Sequence, residues 1–167
     1  MNHNETYSNE YLRDILSSVK TIAMVGASPD KTKFSYGVLR VLHETGYDMV
    51  PVNPRPGITE IRGLKVYKTL KDIDRPVDMV EVFRKPEDLY NVAKEAIEIK
   101  AKVLWGQIGV VNHEAAKLAE QSGLKVVMNR CPKIELPNGI GLETMVVNQQ
   151  SLSVPSKVYF STCQLNL

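Results

Sequence analysis

The residues best placed to do chemistry in this sequence are basic, and they recur at equivalent places. Lys31 and Lys33 follow one apolar run, Asn53 and Arg55 a second, Arg84 and Lys85 a third, and Asn129, Arg130 and Lys133 a fifth. The fourth run supplies Trp105, Gln107 and Gly109 without a charge, and Asp30 is the one acid in these segments. Lysine and arginine hold phosphate oxygens through charge-assisted hydrogen bonds, so the pattern predicts a polyanionic, phosphate-bearing small molecule. Other chemistries lack their residues. His3, His43 and His113 are scattered, and Cys131 and Cys163 do not have zinc-site spacing. No Ser-His-Asp or Cys-His arrangement can be argued for nucleophilic catalysis.

The stretch 21–37, Thr-Ile-Ala-Met-Val-Gly-Ala-Ser-Pro-Asp-Lys-Thr-Lys-Phe-Ser-Tyr-Gly, sharpens the expectation. It reads as a strand, a turn opened by Gly26 and closed by Gly37, and a helix. The first N–H groups of such a helix have no intrahelical partner, and with the positive dipole end they favour an anion. After Gly26 the next glycine is Gly37, so the tight Gly-x-Gly-x-x-Gly spacing of dinucleotide sites is absent. Ser28, Lys31, Lys33 and Ser35 would instead wrap a pyrophosphate with side chains. At the end of the second run, where an NAD site usually carries an acid for the ribose hydroxyls, stands Asn53, with Arg55 two residues on. That disfavours NAD and leaves NADP or coenzyme A, both of which carry a phosphate on the adenosine ribose.

Residues so placed must be held by a regular scaffold, and the sequence contains one. Leu12, Ile15, Leu16 and Val19 fall at helical spacing in a leading amphipathic helix over 9–19. Apolar strand-like runs at 21–25, 47–52, 77–83, 101–105 and 124–128 alternate with helical patterns at 37–46, 86–99 and 114–122. Pro86 suits a helix's first position, Asn112 a cap, and Gly46 and Gly123 helix ends. Segment 61–67 reads as an excursion with a small edge strand, 70–73 as a brief helix, and 158–160 as a possible short strand. This alternation predicts an α/β fold: a Rossmann-like, doubly wound sheet of about five parallel strands with helices on both faces. Ligands in such sheets bind outside the carboxyl ends of the strands, where the basic residues recur.

The length of 167 residues and 43% apolar content fit one domain over 1–143, followed by an extension over 144–167. The net charge of +2 gives no bulk basic field for nucleic acid. No apolar run reaches the roughly 20 residues of a membrane span, and the first residues lack a signal-peptide pattern, so a cytoplasmic protein with free thiols is expected.

Four pieces together resemble a known family: Val-Gly-Ala-Ser after the first run, Val-Asn-Pro after the second, the Trp-x-Gln-x-Gly stretch at 105–109, and Asn-Arg-Cys-Pro-Lys-Ile-Glu at 129–135. They resemble the small stand-alone coenzyme A-binding proteins, similar to the CoA-binding domain of succinyl-CoA synthetase α-subunits and ADP-forming acyl-CoA synthetases. The resemblance implies that Gly26, Ala27, Ser28, Lys31, Lys33 and Phe34 hold the pyrophosphate, with Asn53, Pro54 and Arg55 near the ribose and its phosphate. Phe83 and Arg84 would flank adenine or the phosphates. Gln107, Gly109, Asn129, Arg130 and Cys131 would lie toward the pantetheine. The expected ligand is CoA or an acyl-CoA, bound without chemistry of the protein's own. The alternatives are an NADP-linked oxidoreductase and a regulatory subunit that senses CoA for a protein partner or within a homo-oligomer.

Overall fold

The computed structural model describes residues 1–136, and five strands in it form a parallel sheet. Strands β1 (Thr21–Val25) and β2 (Asp48–Val52) come first, and β3 (Glu60–Ile61) and β4 (Leu64–Lys65) form a separate hairpin. Strands β5 (Met79–Val82), β6 (Val103–Gly106) and β7 (Lys125–Val127) complete the sheet in the order β2-β1-β5-β6-β7. Ile22, Ala23 and Met24 are buried, as expected of a strand covered on both faces. Helices α1 (Asn9–Ser18) and α2 (Phe34–Thr45) pack with Ile22, Met24, Met79 and Trp105. Helices α3 (Leu89–Glu98) and α4 (His113–Gln121) pack with Ala23, Val80, Val82 and Leu104 on the opposite face. Alternation along each strand thus feeds two cores, the doubly wound arrangement that the sequence predicts.

Local chemistry sets the element ends. The Ser8 side chain accepts from the Tyr11 N–H at the start of α1, and Asn112 does the same for Ala115 at the start of α4. Gly46, left-handed at φ 112°, closes α2. At the amino-terminal rim, Asp78 clips β5 to β1 by accepting the N–H groups of Lys20 and Thr21 (2.9 and 3.1 Å), and it pairs with Lys102 at 2.8 Å. Arg75 holds Asp48 through two bonds of 2.8 and 2.9 Å. The acids of that rim are therefore largely neutralised within the protein.

Three details differ from the sequence reading. Helix α2 starts at Phe34, with extended Lys33 as its cap, so Gly37 lies within the helix and the turn after β1 is shorter than expected. Segment 61–67 supplies part of a hairpin rather than one edge strand: Arg62 and Gly63 both adopt positive φ (54° and 78°) and reverse the chain, and Tyr67 then bridges to Val52. A four-residue helix α5 (Pro132–Glu135) forms after β7, where the sequence reading assigns no element, begun by Pro132 at its first position. The strand expected at 158–160 and the extension over 144–167 lie outside the described residues.

Candidate functional site

The chain leaves β1 toward β2 on one side, then returns past β1 to β5 and continues the other way, so the strand order reverses between β1 and β5. Their outgoing loops lead to helices on opposite faces and open a crevice between them. The strand ends beneath it are tied: the Gly26 N–H donates to the Val52 carbonyl (3.0 Å), and the Phe83 N–H to the Val25 carbonyl (2.8 Å). Gly26 has φ 87°, and a Cβ there would lie 2.3 Å from the Phe83 carbonyl oxygen. Only glycine lets the two strand ends approach this closely.

Above this floor lies a cleft in two parts that share Lys33, Phe34, Phe83 and Arg84. The first part, a cavity of about 640 Å³, presents polar and apolar surface in nearly equal measure. The loop after β1 gives it Gly26, Ser28 and Pro29; the start of α2 gives Lys33, Phe34 and Ser35; the end of β2 gives Asn53, Pro54 and Arg55. The second part, of about 540 Å³, is mostly apolar, with Val38 from α2, Gln107, Ile108 and Val110 after β6, and Cys131 and Ile134 around α5. Among the described residues, no aspartate or glutamate lines either part, and Lys33 and Arg55 form no ion pair. Arg84 is half-exposed and 3.6 Å from Asp88.

The features suited to an anion are built into the backbone. Lys33 caps α2 without a side-chain hydrogen bond, and the first turn of α2 carries no acid, so its leading N–H groups face the cleft unpaired by a side chain. Asp30 is turned on its own loop, where its carboxylate accepts the Thr32 N–H (2.9 Å) and hydroxyl (2.7 Å). Those bonds, the backbone one first, hold its carboxyl below the usual carboxylate range. The Asn53 amide donates to the Ala27 carbonyl (2.7 Å) and accepts the Arg55 N–H (2.9 Å). It therefore fixes the first loop against the second and sets the backbone of Arg55, while each amide atom keeps capacity for one more hydrogen bond.

The structure brings most of the sequence-predicted residues into this cleft. Gly26, Ser28, Lys33, Phe34, Asn53, Pro54, Arg55, Phe83, Arg84, Gln107 and Cys131 all line it. Five others do not. Ala27 is buried in the core and Lys31 points to solvent. The Gly109 N–H donates to Asn129 Oδ1 (2.9 Å), a contact that joins the loops after β6 and β7. The Arg130 carbonyl accepts the Trp105 indole N–H (2.8 Å), and its guanidinium faces Glu135 (3.8 Å) and the Tyr7 ring (5.6 Å). Val38, Ile108, Val110 and Ile134 also line the cleft, and the recurring charges in the sequence do not point to them. Ile108, an apolar residue in a Gly-Gln-Ile-Gly turn, was the available signal.

One further group near the site carries no sequence expectation. Glu81 on β5 lies in register with Met24 and Trp105, shares a strand face with Met79, and is 0% exposed. Neither carboxyl oxygen has a hydrogen-bond partner among the described residues. Burial pushes its carboxyl up to about 8, so it is held as the neutral acid at neutral pH.

Comparison with known proteins gives a consistent result. The model of the CoA binding domain family matches residues 20–137. YneT, an uncharacterized protein of Bacillus subtilis, is 40% identical over 127 residues, which cover 76% of this chain and 93% of YneT. The alpha subunit of ADP-forming acetate–CoA ligase I from Pyrococcus furiosus is 30% identical over 77% of this chain, but the match covers only 29% of that subunit. Among solved structures, a hypothetical protein from Pyrococcus horikoshii superposes with a TM-score of 0.75 at 39% identity, over 79% of this chain and 92% of that one. A Thermus thermophilus protein gives 0.74 at 35% identity, over 79% and 98%. The family match runs from just before β1 to just past α5, across the whole sheet and every loop of the cleft, and the chain belongs to the CoA binding domain family.

Proposed function

We propose that this chain binds coenzyme A, free or acylated, across the two-part cleft, and that its role is binding rather than catalysis. The observation that carries the reading is the division of the cleft. CoA joins a triply phosphorylated adenosine to a long, weakly polar pantetheine arm, and the cleft, acid-free throughout, joins a part of mixed polarity that holds Lys33, Arg55 and Arg84 to a mostly apolar part through a shared wall. The α2 amino terminus and Lys33 would receive the pyrophosphate, Arg55 the phosphate on the ribose, and the arm would pass Phe34 and Phe83 toward Gln107 and Cys131. The binding role is supported by the histidines. His3 bonds Tyr7 and Glu120, His43 lies in the last turn of α2, His113 begins α4, and none of them lines the cleft. The match covers only 29% of the ligase relative, so most of that subunit has no counterpart in it.

The test is selective for the ribose phosphate. A charge-assisted contact is worth about 1.5–3 kcal/mol, so Arg55→Ala is expected to weaken CoA by about 10- to 150-fold in calorimetric titration. Dephospho-CoA, which lacks that phosphate, should lose far less. Equal loss for both ligands would remove Arg55 from this role.

A further inference from the structure

We propose that the apolar part of the cleft receives the acyl end of a CoA thioester, and that the acyl group is an uncharged hydrocarbon chain longer than acetyl. This rests on the CoA reading above and adds to it what the far end of the arm carries. Among the described residues, five large apolar side chains are exposed, and three of them line this part: Phe34 at 88%, on the wall shared with the first part, Ile108 at 57% and Ile134 at 55%. Val38 and Val110 continue the same wall from below. Isolated apolar side chains on a surface need no explanation, but three converging on one concave site mark a surface that is covered in use. With the phosphates in the cationic part, the arm runs toward the apolar part, because the two parts adjoin at the shared Lys33, Phe34, Phe83 and Arg84. A free thiol ending there leaves Ile108 and Ile134 in water, whereas a hydrocarbon chain on the sulfur covers them. A terminal carboxylate is the less suited end group: with Lys33 and Arg84 taken up by the phosphates, Lys133 is the one charged residue left in this part to pair with it, and most of the remaining wall is apolar.

The experiment is calorimetric titration of the full chain with CoA, acetyl-CoA, butyryl-CoA, hexanoyl-CoA and succinyl-CoA. Each buried methylene improves affinity up to about fourfold, the equivalent of about 0.8 kcal/mol. Hexanoyl-CoA is therefore expected to bind at least tenfold more tightly than acetyl-CoA, with butyryl-CoA between them and succinyl-CoA no better than CoA. Ile108→Asp and Ile134→Asp, each at an exposed position and checked for fold by circular dichroism, should each shrink the ratio of hexanoyl-CoA to CoA affinity. Equal affinities along the series, or succinyl-CoA as the tightest ligand, would overturn the acyl assignment while leaving the CoA reading in place. Failure of all five to bind would overturn both.

Discussion

Adding a single methyl group at Gly26 is expected to cost about 2–5 kcal/mol of stability and to abolish binding in the cleft. A left-handed backbone costs a non-glycine residue about 1–2 kcal/mol, and forcing atoms into a filled site costs about 1–3 kcal/mol more. Both apply to Gly26→Ala: φ is 87°, and the new Cβ would meet the Phe83 carbonyl oxygen at 2.3 Å and its carbon at 3.0 Å. Those are backbone atoms, so relief requires β1 and β5 to separate at the point where the crevice opens. Gly63→Ala provides the control, since φ is 78° there but nothing lies within 4 Å of the added Cβ. It should lose only the conformational part and keep its ligand. Urea midpoints and titrations of the two variants measure the difference, and indistinguishable behaviour would contradict the role given to Gly26.

The second large effect concerns Glu81 and has a defined sign. Its folded-state carboxyl titrates at about 8, against 4.5 for an unperturbed glutamate. Between those values the folded chain holds a proton that the unfolded chain has lost, so stability declines as pH rises. The decline is about 1.4 kcal/mol per pH unit, or about 5 kcal/mol across the window, and is complete once pH passes the folded value. Glu81→Met keeps the side-chain volume and removes the titrating group. It is expected to raise the denaturation midpoint at pH 8, to differ much less from the parent near pH 5, and to flatten the slope between. A parent protein whose stability is level from pH 5 to 8 would rule out a neutral buried acid. The family resemblance and the cleft give Glu81 no part to play, yet a buried acid without a partner in the central strand is expensive to keep.

The sheet was legible because its signals are local and mutually consistent. Unbroken apolar runs, Asn112 as a cap, Pro86 at a helix start and Gly46 at a helix end each act within a few residues, and the structure has all of them. The polar part of the cleft was legible for a related reason. In a parallel sheet all strand ends face one way, so charges that recur after successive strands must converge. What could not be read were features set by tertiary contact. Arg130 follows a strand end like Arg84, but the positive-φ turn at Asn129 and the Trp105 bond hold its backbone against the core. Asn53 stands out in the sequence for the absence of a charge, whereas in the fold its amide joins two loops. The hairpin depends on Arg62 adopting a left-handed conformation that its side chain does not favour. Glu81 stood in plain view within an apolar run, and only the position of β5 between β1 and β6 shows that it has no route to water.

The proposed ligand of this cleft is coenzyme A rather than a nicotinamide dinucleotide. Competitive calorimetric titration with CoA, NADP and NAD tests that assignment most directly. All three offer an adenosine and a pyrophosphate, NADP and CoA share a phosphate on the adenosine ribose, and only CoA carries the arm that suits the apolar part. CoA is expected to bind at least tenfold more tightly than NADP, with NAD weaker still. NADP binding as tightly as CoA or more tightly, or no measurable affinity for CoA, would contradict it.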